Sequence, residues 1–384
     1  MKIPFHKPNL PESLDLIYRD SLRSGWLTTG DIVDTFEQKL SSYLNSDYVV
    51  ALNSCTAGLH LGLAAKNFGK GDKFILPTMT FISTLECGEY LGMEPILVDS
   101  EKSGFLLDLN QVEDLLKKQS NVKAILPMHY GGEPVDMECI FKLAEKYGVF
   151  VLEDAAHALE TVSNYGKIGD TSYGAAFSFY ANKNITTAGE GGAFATNDKK
   201  LAEKVRRLSL HGITKDGWER FKENGKWEYD IIELGYKYNM NDFSASFGLW
   251  QMERAKIWQE KRKSIVKYYH QKLKNIDGII LPKLTSGHSW HLFVIKLDLK
   301  YWKISRNSII EKLNKRGIGL AVHYKPIHKL LHVKSKYSFP SDQFPRSNEL
   351  FESIISFPIY PNLTFEELDI ITENVVDIYK QYSF

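Results

Sequence analysis

Short apolar runs alternate with longer stretches of helical periodicity through the first half of the chain. Tyr48 to Leu52 reads as a strand, and Asn53-Ser-Cys-Thr-Ala-Gly feeds from it into a helix running to about Lys66. Phe74-Ile-Leu-Pro is a second short strand, closed by a proline turn and followed by a helix, and Pro95 to Asp99 is a third. Helices over 109–118 and 136–147 and strands over 122–127 and 149–153 continue the series through short connections. Ala175 to Phe179 is strand-like, and Thr186-Thr-Ala-Gly-Glu-Gly-Gly-Ala turns tightly into another apolar run ending at Phe194. Ahead of all this, Ile32, Val33, Phe36, Leu40 and Tyr43 recur at helical spacing. The rhythm is that of βαβ units and predicts an α/β fold, a mostly parallel sheet covered by helices on both faces.

The pattern then changes. Residues 199–240 are less regular, and from Asp242 one long helical pattern runs through Phe247, Trp250 and Ile257 toward Leu273. Strands over 290–297 and 319–323, a helix near 305–316 and a last helix from about 364 predict a smaller α+β unit. We therefore expect a large domain over 1–250 and a small one over 251–384, a division that suits 384 residues. No low-complexity tract or fixed-period repeat interrupts the chain.

Composition narrows the function. The net charge is +1, which argues against a nucleic-acid binder or an electrostatic membrane partner. Cys55, Cys87 and Cys139 follow no metal-ligand spacing and leave an odd thiol, which fits a reducing compartment. The N-terminal residues lack an apolar signal core, and no apolar run approaches membrane-spanning length, so the expectation is a soluble, cytoplasmic protein.

Candidate chemistry centres on Lys183. It stands five residues after Ser178, before a turn whose glycines at 189, 191 and 192 permit positive φ and close backbone approach. A lysine buried on such a turn loses its proton more readily than a surface lysine, and a neutral amine is what Schiff-base chemistry requires. About thirty residues upstream, Val149-Phe-Val-Leu-Glu-Asp-Ala-Ala-His is an apolar strand ending in Asp154, with His157 just beyond. A carboxylate at the carboxyl end of a buried strand, followed by that lysine, suits pyridoxal 5′-phosphate: the lysine holds the aldehyde and the carboxylate keeps the ring nitrogen protonated. Asp154 also reads as a helix N-cap and His157 as a packed core histidine. The strand-to-helix turn at 53–57 is an anion site by construction, because unpaired amides and the helix dipole point outward, or else a plain capped helix start.

The segments ValLeuGluAspAlaAlaHis, SerPheTyrAlaAsnLysAsnIleThrThr and GlyGluGlyGlyAla resemble the DegT/DnrJ/EryC1/StrS family of sugar aminotransferases, with matches from about residue 20 to 375. The resemblance implies the aspartate-aminotransferase fold (fold type I), with a mostly parallel seven-stranded sheet. It assigns Lys183 and Asp154 to catalysis, and Thr56, Ala57 and Ser178 to the cofactor phosphate. Phe81 would stack on the ring, unless it is core, and His157 would also touch the cofactor. A loop crossing to a partner subunit would bring Lys237 or Asn239 to that subunit's phosphate; many relatives have Gly-x-Asn-x-Arg there. Relatives more often carry glycine at the position of Cys55.

For substrate, the resemblance points to Trp26, unless it anchors the N-terminal arm, and to Thr28, His323, Tyr324 and His328, unless the histidines are packed surface residues; Lys215 and Arg220 read as diphosphate ligands or as a solvated charged loop. The rival reading of the histidine pair, zinc, has no further ligand beside His-x4-His. Retention of Lys183, which some relatives replace with histidine to perform dehydration, favours transamination. The resemblance further implies glutamate as amino donor (2-oxoglutarate as its product), pyridoxamine 5′-phosphate as the carrier form, and a nucleotide-activated ketosugar as acceptor. A 4-keto-6-deoxyhexose is the expected sugar, the Trp218, Trp227 and Gly235-Tyr-Lys-Tyr-Asn stretch resembling relatives that act at C4. Surface-polysaccharide or related aminosugar biosynthesis is the expected role, and a homodimer with shared active sites the expected assembly. A cyclitol aminotransferase shares the same motifs, and a scaffold without activity is the non-enzyme alternative.

Overall fold

A computed structural model describes residues 2–214 and 228–384. Seven strands, β1 (Tyr48–Leu52), β2 (Lys73–Pro77), β3 (Glu94–Val98), β4 (Val122–Ile125), β5 (Phe150–Asp154), β6 (Gly174–Ser178) and β7 (Gly192–Thr196), form one sheet. Its spatial order is β1-β7-β6-β5-β4-β2-β3. Only β7 runs against the rest, pairing antiparallel with both β1 and β6. The β5 sequence is buried at every position, as a strand covered on both faces must be.

One face carries Phe36 and Leu40 of helix Asp31–Leu44, with Ile75, Val151 and Phe177. The other packs Leu59 and Leu63 of helix Cys55–Ala65 on Phe74, Leu152 and Phe194. Close approach there depends on Gly62, where an added Cβ would lie 2.9 Å from the Phe194 ring. The expected α/β class and mostly parallel seven-stranded sheet are what the chain forms.

A second, antiparallel sheet holds β8 (Ile279–Ile280), β9 (Phe293–Leu297) and β10 (Ile354–Phe357), with β9 in the centre. Tyr269, Phe293, Phe357 and Ile371 fill its core. Ile3, near the N-terminus, joins that core through a parallel bridge to Ile318.

Several elements differ from the sequence reading. The long helix after Asp242 is two, Asp242–Met252 and Ala255–Leu273, because Arg254 at φ −112° leaves helical geometry. Apolar periodicity continues across the break because Ala245 and Met252 before it and Ala255 and Trp258 after it share one core, while Ile265, Val266, Tyr269 and Leu273 go on to pack under the second sheet. Residues 319–323 contribute only the bridge between Ala321 and Ser356 rather than a full strand. β9 starts at Phe293, since Trp290 at φ 51° is not extended. A helix, Lys199–Ser209, occupies part of the stretch read as irregular, capped by Asp198 and buried through Leu201, Val205 and Leu208.

That helix brings Arg206 onto a buried carboxylate. Glu37 accepts from the Ala51 amide at 2.7 Å and from both terminal nitrogens of Arg206, at 3.1 and 2.5 Å. Burial pushes the Glu37 carboxyl up, and Arg206 is the main counterweight. Removing one partner of such a pair leaves an uncompensated charge. Arg206→Met should therefore cost about 2–3 kcal/mol in denaturant unfolding. The double variant with Glu37→Gln should recover part of that loss; equal losses in single and double variants would dismiss the pairing.

Candidate active site

The carboxyl ends of β5 and β6 and the start of β7 meet at one cleft of about 450 Å³. It is lined by Ser54, Cys55, Thr56, Phe81, Asp154 and His157 from one side and by Ser178, Tyr180, Lys183, His291, His323 and Tyr324 from the other. Asp154 ends β5 with its amide donating to Pro127 O at 2.8 Å. Its carboxylate accepts from Thr84 Oγ1 at 2.6 Å and from the Ala156 amide at 3.1 Å. Burial raises the Asp154 pKa, while those two donors and the Lys183 charge pull the other way. No helix starts at Asp154; the chain enters turns, so the carboxylate is not a helix cap.

Lys183 follows β6 on a turn tied by Ala181 N to Gly189 O at 2.9 Å and Phe179 N to Gly191 O at 2.8 Å. Gly191 is required there: it sits at φ 158°, and a Cβ would fall 1.9 Å from Thr187 Oγ1. Burial lowers the Lys183 pKa from 10.5 to about 8, opposed by the Cys55 thiol and Asp154. With a pKa of about 8, roughly a tenth of the amine is neutral at pH 7, against fewer than about one part in a thousand for an ordinary lysine.

Opposite it, Ser54 caps helix Cys55–Ala65 through the Ala57 amide at 3.1 Å. The amides of Cys55 and Thr56, at the first two helical positions, have no intrahelical partner. Thr56 lines the cleft; Ala57 is buried beneath it. Gly192 allows this helix start to lie against β7, where a Cβ would be 2.3 Å from the Ser54 carbonyl carbon. Ser178 Oγ accepts from the Tyr180 amide at 3.4 Å. Phe81 is 55% exposed, so it is a wall of the cleft and not core.

The remaining candidates divide. His323 and Tyr324 line the cleft, Tyr324 Oη lying 3.0 Å from His157 Nε2. His328 does not: its nitrogens lie 2.6 Å from Thr78 Oγ1 and 3.1 Å from Asn348 Oδ1, and its ring stacks on Phe344. Among the described residues no group of His, Cys, Asp or Glu is arranged to hold a metal. Trp26 and Thr28 lie outside this cleft; the Trp26 indole donates to Thr29 O, and Thr28 O accepts from the Asp242 amide. Lys237 and Asn239 lie on a segment beside β1, with Asn239 bridged to Leu52 and bonded to Thr29 Oγ1 at 2.7 Å. Neither lines the cleft of its own chain. Arg220, Lys215, Trp218 and Trp227 lie outside the described residues. Thr84, which holds Asp154, and His291, which lies beneath the cleft, carried no signal: one sits in a proline-turn helix and the other in an apolar run read as strand.

The DegT/DnrJ/EryC1/StrS aminotransferase family profile matches residues 12–376. The chain belongs to this family. It is 37% identical over 381 residues to the spore coat polysaccharide biosynthesis protein SpsC of Bacillus subtilis, covering 97% of both chains. Among solved structures, the PMP form of Spr1654 from Streptococcus pneumoniae, assigned as a sugar aminotransferase, superimposes with TM-score 0.91 at 32% identity, covering 99% of this chain and 98% of that one. Helicobacter pylori PseC, an aminotransferase of pseudoaminic acid biosynthesis, superimposes with TM-score 0.90 at 26% identity over 99% and 100% of the two chains.

The chain is a pyridoxal-phosphate-dependent sugar aminotransferase of this family. Its residues fit the cofactor: an amine partly neutral at pH 7, a buried carboxylate, free helix amides beside two hydroxyls, and an aromatic wall. As a family member it also carries a stability cost at Lys183. The folded pKa of about 8 lies below the ordinary 10.5, so between these values the unfolded state binds more protons and stability rises with pH; the full penalty applies below pH 8. Lys183→Met should stabilise the cofactor-free protein at pH 7 by up to about 3 kcal/mol. The gain should vanish by about pH 10.5 in denaturant melts. A gain independent of pH would contradict the buried ammonium.

Proposed function

We propose that this enzyme transfers the amino group of glutamate to a nucleotide-activated ketosugar, with Lys183 and Asp154 as its catalytic residues. The observation that carries the transamination is Lys183, kept on its turn inside the cleft with its amine partly neutral at pH 7. Pyridoxal phosphate supplies the aldehyde that carries the nitrogen and the ring that takes up the electron pair released at the donor carbon. Lys183 would hold the cofactor, and its Nζ, once freed, would take the proton from the donor's α-carbon as general base and later give it back as general acid. Asp154 would pair with the ring nitrogen; Thr56, Ser178 and the helix amides would hold the phosphate, and Phe81 would cover the ring. The sugar reading rests on relatives: SpsC serves polysaccharide biosynthesis and PseC pseudoaminic acid biosynthesis. A 4-keto-6-deoxyhexose is the acceptor we favour, within surface-polysaccharide synthesis in the cytoplasm.

The site is shared between two subunits in this proposal. Among the described residues Lys183 is the only lysine or arginine lining the cleft, beside acidic Asp154 and Glu190, so a phosphate dianion there lacks a fixed cation from them. Leu27 and Leu234, 53% and 87% exposed, flank the segments that carry Thr29 and Asn239, an apolar surface suited to a second copy. The partner subunit's Lys237 or Asn239 would supply the missing phosphate contact.

Two measurements test this. Glutamate should move the absorption of the purified enzyme from ~420 nm to ~330 nm, and a nucleotide-linked ketosugar should restore it; a spectrum indifferent to glutamate would exclude that donor. Lys237→Ala should weaken cofactor affinity about tenfold or more, as loss of a charge-assisted phosphate contact does. Unchanged affinity in that variant would leave Asn239 as the contact.

A further inference from the structure

The cleft contains a ladder of hydrogen bonds whose donors can be assigned. His157 Nδ1 accepts from the Gly131 amide at 3.1 Å, so the proton of the neutral ring is on Nε2. That Nε2–H donates to Tyr324 Oη at 3.0 Å. Burial holds the Tyr324 phenol far above its ordinary value, so it keeps its own proton, and among the described residues that proton has no acceptor beside the cleft that Tyr324 lines.

His291 is set the opposite way. The Asn184 amide nitrogen donates to Ser289 O at 3.5 Å, which turns its Oδ1 toward His291 Nδ1 at 3.1 Å. An amide oxygen only accepts, so Nδ1 carries the proton and Nε2 holds a bare lone pair. The residue is only 5% exposed, and burial, with Lys183 and His157 nearby, keeps the ring neutral. Among the described residues Nε2 has no partner, yet it is not one of the sealed unpartnered atoms: it opens to the cleft that the ring lines. The His157 and His291 ring centroids are 4.3 Å apart, so the imidazole that holds the Tyr324 hydroxyl and the imidazole with the bare acceptor are neighbours in the cleft that Lys183 also lines.

We propose that His291 is a specificity-determining residue that accepts a hydrogen bond from the hydroxyl next to the carbonyl to be aminated, while Tyr324 donates to that carbonyl. An α-hydroxy ketone presents this pair, acceptor and donor on adjacent carbons; an amino acid's α-ammonium and carboxylate do not present an acceptor and a hydroxyl in that order. The inference rests on the ketosugar reading above and adds which atoms of the sugar are read.

The test uses the holoenzyme with a nucleotide-linked 4-keto-6-deoxyhexose and its 3-deoxy analogue, each half-reaction followed by absorbance. The wild type should prefer the hydroxylated sugar by about 10⁴-fold in kcat/KM, the scale on which a site built for a hydroxyl rejects its absence. His291→Leu should lose most of that preference, and His291→Gln, with an acceptor near the Nε2 position, should regain it. The glutamate half-reaction should stay within about threefold in both variants, which also shows that they fold and load cofactor. Preference intact in His291→Leu overturns the proposal, as does a glutamate half-reaction that falls in step, which would put His291 at the cofactor. A wild type that uses neither sugar but aminates keto acids overturns the ketosugar reading itself, and this proposal with it. In cofactor-free protein labelled at histidine nitrogens, His291 should give a neutral ring protonated at Nδ1; an Nε2–H signal would equally overturn the assignment.

Discussion

An amine that must be neutral near pH 7 has to be taken out of water, and much of this fold can be traced to that demand on Lys183. Its pKa near 8 reflects burial first, with Cys55 and Asp154 opposing. Deeper burial beside no carboxylate would carry the value lower and weaken the lysine as the base and acid of one cycle. The position is held from three directions. β6 delivers the turn, antiparallel β7 returns from it, and the N-terminal segment closes over it, His6 Nε2 lying 3.2 Å from Ala181 O. The single strand that breaks the parallel order of the sheet is thus the one that leads away from the lysine turn.

Negative charge is the second constraint. Asp154 is tied down by Thr84 and a backbone amide, which lets it remain a carboxylate in a place where burial pushes its pKa up. In the proposed arrangement a cofactor phosphate would add further anionic charge at the helix start of Cys55–Ala65, where this chain's own amides and hydroxyls would stabilise it by dipoles. Gly192 lets that helix start press on β7, so the helix start and the lysine turn are positioned by the same strand.

What the sequence made legible follows from how local each feature is. β1 and helix Leu109–Lys118 match the reading because burial period and caps lie within their own residues. Lys183, Asp154, Thr56, Ser178 and Phe81 were visible as motifs on strand ends and turns, and they converge on one cleft. The break at Arg254 was hidden because buried apolar residues continue on both sides of it, Met252 before and Ala255 and Trp258 after, in one core. His328 shared a short motif with His323, but a side chain's direction depends on its surroundings, and Thr78 and Asn348 draw it inward. Thr84 and His291 were illegible because their roles arise from contacts 70 and 107 residues away in sequence.

The histidines around the lysine explain why one base can run the proton traffic. His157 and His291 are held well below the ordinary histidine value and His323 at about 4, each chiefly by burial and each lowered further by the Lys183 charge. None of them takes a proton at neutral pH, so none would compete with Nζ in its proposed role as base. Neutral rings also retain fixed tautomers, because His157 and His291 each have one nitrogen committed to a backbone or amide partner. A charged ring would donate from both nitrogens and erase the acceptor that faces the cleft. Desolvation therefore acts twice here, lowering the lysine far enough to react and lowering its neighbours far enough that they can only position what reacts.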